Sequence, residues 1–147
     1  MQVQDIMSRH LTSCMPDADV QEAAALMVKS DCGAIPVVDP QTQKAIGVIT
    51  DRDIVARAVA VGQNPIGMKV DELMTMPITA VGPESSLEDC LAQMEESQIR
   101  RMLVVDGQGR LCGIVSQADI ARTASEHQTA ELAKDVSKAT DHASEIE

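Results

Sequence analysis

Gly47–Ile54 reads GVITDRDI, and Gly113–Ile120 reads GIVSQADI. Each is a glycine, two β-branched residues, a hydroxyl residue, two variable positions, an aspartate and an isoleucine. A short apolar run ending in Thr50 or Ser116 reads as a strand that passes directly into a helix. The hydroxyl caps the helix N-terminus, and Asp53 or Asp119 three positions on supplies the acidic half of a capping box. The same strand-to-helix junction is therefore written twice in one chain of 147 residues.

Outward from these junctions the duplication extends over most of the sequence. Val3–Asp39 lies over Val70–Asp106 at a constant offset of 67, with identities at Val3/Val70, Met7/Met74, Thr12/Thr79, Pro16/Pro83, Met27/Met94 and the run Val37-Val38-Asp39 over Val104-Val105-Asp106. After the next turn the offset becomes 66, and Gly47, Asp53, Ile54 and Ala58 match Gly113, Asp119, Ile120 and Ala124. One single-residue length change, inside a surface turn, is what a duplicated unit tolerates.

Each copy predicts the same elements. A leader (VQDIM, VDELM) precedes a small extended piece (LTSC, ITAV) and a turn opened by Pro16 or Pro83. A helix follows, with apolar positions Val20, Ala23, Ala24 and Met27, or Leu87, Leu91 and Met94, capped from Asp17 or Asp19, and from Ser85 or Ser86. Two strands joined by a polar turn come next (IPVVD-PQTQK-AIGVIT, MLVVD-GQGR-LCGIVS), then a second helix from Asp51 to about Val61 or from Gln117 onward. The expected organisation is repeat one over 1–61, a Gly/Pro-containing linker over 62–69, repeat two over 70–124, and a polar extension over 125–147 that is helical near 129–137. A unit of roughly 55 to 60 residues is marginal alone, so the two are expected to share a core about a pseudo-twofold axis.

Composition narrows the function. The apolar fraction is 44%, acidic residues outnumber basic ones 23 to 12 for a net charge of −11, and Phe, Tyr and Trp are absent. The chain is expected to fold. An acidic surface without aromatic rings offers neither electrostatic nor stacking attraction for a nucleic-acid polymer. No apolar run approaches the roughly 20 residues of a membrane span, and Met1–Asp5 lacks signal-peptide character, so a cytoplasmic protein with no membrane partner is expected.

A hydroxyl at a helix start suits a phosphate oxygen, and a carboxylate one turn in suits the cis-diol of a ribose. Together Thr50 with Asp53, and Ser116 with Asp119, fit a nucleotide, although each pair is equally explained as a helix cap. The leader with Met, the PVVD-like strand and the GxxTxxD or GxxSxxD junction, in two copies over about Val3–Ala124, resemble a tandem pair of CBS domains. This is the cystathionine β-synthase type or Bateman module, here similar to small stand-alone pairs of the hypoxic response protein type. The resemblance implies an α/β (α+β) fold of two β-α-β-β-α repeats packed through their sheets, two clefts for adenosine-containing ligands such as AMP, ADP, ATP or an S-adenosylmethionine-like molecule, and a homodimer. It makes Asp53 and Asp119 the ribose ligands and Thr50 and Ser116 the phosphate ligands.

The resemblance also brings Cys32, Gly33 and Ala34 to one cleft, and Ile99, Arg100 and Arg101 to the other. Arg52 is a further phosphate candidate; each arginine is otherwise a surface residue paired with nearby carboxylates. Adenine would be held by aliphatic walls drawn from Ile35, Val48, Met102 and Ile114, positions that core packing equally explains.

The four cysteines show no CxxC or zinc spacing, and each aligns with an apolar residue in the other copy (Cys14/Val81, Cys32/Ile99, Cys90/Ala23, Cys112/Ile46), so they read as small hydrophobes in a reducing compartment. No required cofactor, resident metal or catalytic residue is expected, since no glycine-rich phosphate loop, GxSxG or HExxH is present. The expected function is a non-catalytic ligand-sensing module acting on an unidentified regulated protein. The alternatives are an interaction scaffold with degenerate clefts and, less favoured, a thiol or metal sensor, for example one pairing Cys14 or Cys32 with His10.

Overall fold

The computed structural model describes residues 1–126; the expected helix near 129–137 lies outside the described residues. A 3₁₀ turn over Val3–Asp5 opens the chain, followed by α1 (Val20–Ser30), β1 (Ala34–Val38), β2 (Ala45–Thr50), α2 (Asp51–Arg57) and a second 3₁₀ turn, Val59–Val61. The other half contains α3 (Val70–Leu73), β3 (Ala80–Val81), α4 (Leu87–Ser97), β4 (Arg101–Val105), β5 (Leu111–Ser116) and α5 over 117–126.

The halves repeat each other down to single backbone dihedrals. α1 buries Val20, Ala23 and Met27, α4 buries Cys90 and Met94, and both end on a left-handed residue, Asp31 at φ 52° and Gln98 at φ 56°. Ser86 accepts the N–H of Asp89 as a helix cap, whereas Asp19, at the same position of α1, turns its carboxylate to Lys69 Nζ at 2.8 Å. Strands β1 and β2 form one antiparallel hairpin and β4 and β5 another, each with an irregularity at the matching place, Val37/Val38 and Val104/Val105. Asp39 and Asp106 start both turns by accepting backbone N–H groups two and three or four residues on. The turns close on Gln43 and Gly109, both at positive φ. Across the pseudo-twofold axis the hairpins meet at Lys44 and Arg110, with the Ala45 N–H donated to the Gly109 carbonyl.

Two expected elements are shorter. The LTSC segment contributes a single parallel bridge, Cys14 to Val37, whereas Ala80–Val81 of ITAV forms β3. The helix expected from Asp51 to Val61 ends at Arg57 and continues as a 3₁₀ turn. There the β-branched Val59 and Val61 precede Gly62 at φ 83°, a poor continuation for an α-helix.

The leaders are exchanged between halves. Val3 and Gln4 donate their N–H groups to Ser85 and Pro83, and Val70 and Asp71 donate theirs to Ala18 and Pro16. Ser8 then pairs with Ile114 in both directions, as Thr75 does with Val48, so each leader ends as an edge strand on the other half's hairpin. One core accordingly holds Val20, Ala23, Met27, Ile35, Val37 and Ile49 together with Val70, Leu73 and Met74. The other holds Cys90, Met94, Met102, Val104 and Val115 together with Val3 and Met7. The close crossing explains the glycine of the duplicated junction: a Cβ on Gly113 would lie 2.6 Å from Met7 Sδ and 3.0 Å from the Ser8 carbonyl oxygen, and one on Gly47 would lie 3.0 Å from both Met74 Sδ and the Thr75 carbonyl oxygen.

Because each core contains both halves, Leu73→Ala is expected to destabilise the whole chain by about 2–5 kcal/mol. Unfolding should remain one transition in denaturant, and two resolved transitions would contradict the exchange. Burial, with Glu22 adding to it, pushes the Cys14 thiol up to about 11, and burial raises Cys90 as well. Both should resist iodoacetamide near neutral pH in the native protein and react on denaturation, as read by mass spectrometry.

Candidate functional site

Each junction forms the capping box expected of it. Thr50 Oγ1 accepts the Asp53 N–H at 3.0 Å, and Asp53 Oδ2 accepts the Thr50 N–H at 3.0 Å. Ser116 Oγ and Asp119 Oδ2 make the same two bonds at 3.0 and 3.4 Å. The caps therefore engage one oxygen of each carboxylate and leave the other, Oδ1, to its surroundings.

The surroundings differ. Asp119 lines a cavity of about 460 Å³ with Ser116, Ile114 and Arg101 from the second half, and Ala34, Pro36 and Cys32 from the first. Its remaining wall is the segment after the exchanged leader, Ser8, His10, Leu11 and Thr12, with Ser30 at the end of α1. Thr12 and Ser30 share a hydroxyl–hydroxyl hydrogen bond of 3.2 Å. The volume suits a nucleoside-sized ligand. One face is aliphatic (Leu11, Ala34, Pro36, Ile114), and the polar groups are hydroxyls, an imidazole, a carboxylate and a guanidinium. Ser116 Oγ uses a lone pair for its cap and keeps its proton to donate. Asp119 Oδ1 receives Arg122 Nη2 at 3.1 Å from a guanidinium that is 66% exposed, an ion pair that contributes little and yields readily. A second, more open cavity of about 500 Å³ lies on the other side of Cys32 and Arg101, where Gly33, Asp31 and Asp51 line it together with Val28 and Val55.

Of the twelve candidate ligand residues, Ser116, Asp119, Arg101, Ala34 and Ile114 converge in the first cavity, and Gly33 joins Arg101 in the second. Arg101 is thus common to both. Arg100 and Arg52 are exposed and line neither; the Arg100 carbonyl instead accepts the Gln117 N–H. Ile99 is half-buried against the second core, and Val48 pairs with Thr75 on the first hairpin. Thr50 and Asp53 also line neither cavity, and Asp53 is the one charged residue buried among the described residues. Ile35 and Met102 are core residues with no exposure, which leaves Ile114 as the aliphatic wall nearest the junction. Nothing in the sequence assigned Ser8, His10, Leu11 or Thr12 to a ligand cleft, because only the leader exchange carries them to the opposite junction.

The cysteines are all free, and no group of three His, Cys, Asp or Glu side chains among the described residues is placed to hold a metal ion. No helix among the described residues is long and apolar enough to cross a membrane.

Comparison with known proteins agrees with this architecture. Hypoxic response protein 1 of Mycobacterium tuberculosis is 36% identical over 130 residues, covering 88% of this chain and 90% of that protein. The CBS domain pair of protein MJ0100, solved in complex with 5′-methylthioadenosine and S-adenosyl-L-methionine, superposes with a TM-score of 0.77 at 29% identity over 86% of this chain and 98% of that one. CBSX2 in complex with AMP superposes with a TM-score of 0.75 at 28% identity over the same shares. The pattern that defines the CBS domain matches residues 3–60 and again 70–126, and the chain belongs to the CBS domain family.

Proposed function

We propose that this protein is a non-catalytic ligand-sensing module that binds an adenine nucleotide or a related adenosyl metabolite between its two CBS repeats. The observation that carries the reading is the convergence of Asp119, Ser116, Arg101 and Ile114 in one nucleoside-sized cavity. In this reading Asp119 accepts the ribose hydroxyls, Ser116 and Arg101 face a phosphate or another polar 5′ group, and the aliphatic wall holds the base. Similar CBS pairs solved with AMP, S-adenosyl-L-methionine and 5′-methylthioadenosine support the ligand class.

Binding that favours one arrangement of the two halves would be relayed to an as yet unidentified regulated protein, since both leaders cross between the halves. A homodimer is part of the proposal: Val28 on α1 and Val55 on α2 are 83% and 58% exposed, an apolar face that a second copy would cover. The four free thiols suit a cytoplasmic setting.

Thermal denaturation with AMP, ADP, ATP, S-adenosylmethionine and 5′-methylthioadenosine tests the ligand class. A true ligand at 100 times its dissociation constant should add about 2.7 kcal/mol. Silence from all five would remove the proposal. Arg101→Met should weaken AMP by about tenfold or more, because charge-assisted hydrogen bonds contribute about 1.5–3 kcal/mol. It should leave 5′-methylthioadenosine, which has no phosphate, nearly unaffected.

A further inference from the structure

We propose that the two pseudo-equivalent junctions are not equivalent binding sites: the chain satisfies Asp53 from within, and one adenosyl ligand binds per chain, at Asp119. The proposal rests on the ligand-binding function above and fixes its stoichiometry and location. At Asp53, the oxygen not used by the cap, Oδ1, accepts the Thr75 hydroxyl at 3.0 Å and lies 3.7 Å from Arg57 Nε. Both partners are tied in turn. Thr75 is held by two backbone hydrogen bonds to Val48, and Arg57 Nη1 donates to the carbonyls of Met74 at 3.0 Å and Leu73 at 3.4 Å. The carboxylate, the guanidinium and the end of the exchanged leader form one closed set, and the Asp53 side chain is only 10% exposed.

A ribose diol could reach Asp53 only by displacing the Thr75 hydroxyl and competing with Arg57. Each would then lose a partner in a half-buried place, an outcome costlier than never forming the bond. The Thr75 hydroxyl donates to Asp53 as a ribose hydroxyl would donate to Asp119.

The other junction is held more loosely: Oδ1 of Asp119 meets a guanidinium, that of Arg122 at 3.1 Å, but this side chain is 66% exposed, and among the described residues no hydroxyl bonds that oxygen. Thr75 corresponds to Ser8, which lines the Asp119 cavity and, among the described residues, gives no side-chain hydrogen bond to Asp119. Arg57 corresponds to Thr123, which has no cation to offer. The Asp119 side chain is 30% exposed, and Arg122, the one side chain bonded to it among the described residues, is 66% exposed. Two differences between the repeats, threonine against serine and arginine against threonine, thus separate a carboxylate that ties the fold from one that lines an open cavity.

Isothermal titration of the full chain with AMP, and separately with S-adenosylmethionine, should give one ligand per chain. In ¹⁵N-resolved NMR spectra of the unmodified protein, saturating ligand should move the amides of Ser8, Ser116 and Asp119 and leave those of Thr50, Asp53 and Thr75 in place. Asp119→Asn should weaken binding by about tenfold or more, whereas Asp53→Asn should keep a stoichiometry of one and lower the melting temperature. Two ligands per chain, or ligand-induced shifts centred on Thr50 and Asp53, would overturn the inference while leaving the proposed function standing. Absence of binding by both probes would overturn the inference, and silence from all five ligands named above would overturn the proposed function with it. The unmodified protein decides between these outcomes even if Asp53→Asn does not fold.

Discussion

The reciprocal exchange of leaders governs the rest of this molecule. A stretch of fewer than about 60 residues buries too small a share of its surface to hold a core by itself. Here each half closes its core with three or fewer apolar side chains that arrive from the other. Val3 and Val70 are fully buried, and Leu73 and Met7 nearly so, each among residues of the opposite repeat. The unit that repeats in sequence and the unit that packs are consequently different stretches of chain. The backbone bonds that dock the leaders, Val3 and Gln4 onto Ser85 and Pro83, Val70 and Asp71 onto Ala18 and Pro16, are the same bonds in both directions.

The exchange also builds the site. Past its buried turn each leader runs as an edge strand across the glycine of the opposite junction and delivers a hydroxyl residue beside the aspartate. Symmetry would make the two places alike, yet a few side chains decide otherwise. With Arg57 and Thr75 the first place becomes a hydrogen-bonded tie between α2 and the leader. With Ser8 and Thr123 the second remains a cavity, and Arg101 supplies it with a positive charge inside an otherwise acidic protein.

Much of the architecture was legible because it is local. The duplicated GxxTxxD and GxxSxxD junctions announced strand, cap and helix, and both capping boxes are formed. The Val-Val-Asp runs announced strand followed by turn, and Asp39 and Asp106 perform that role. Of the aliphatic residues named in advance for a base, Ile35, Val48, Met102 and Ile114, only Ile114 lines the cavity; Leu11, Ala34 and Pro36 complete its apolar face. What stayed hidden depends on contacts far apart in sequence. Thr75 bonds a carboxylate 22 positions away, Arg57 bonds carbonyls 16 and 17 positions away, and His10 lines one cavity with Asp119 only because the leader changes sides. Adjacency misled in one case: Arg100 and Arg101 look like a pair, but Arg100 lies in the bend before β4, and only Arg101, the first residue of the strand, lines the cavities.

The short stretch between the two matched repeats, 61–69, acquires a thermodynamic meaning from the exchange. A chain holding a single copy of this unit could complete its core only with the leader of a second chain, so its folding would depend on protein concentration. Joining two copies converts that encounter into an intramolecular one, at an effective concentration on the order of millimolar for a short tether. Duplication thereby frees the fold from dilution. It also allows the two halves, which in a homodimer of single copies would have to be identical, to differ at Arg57 and Thr123.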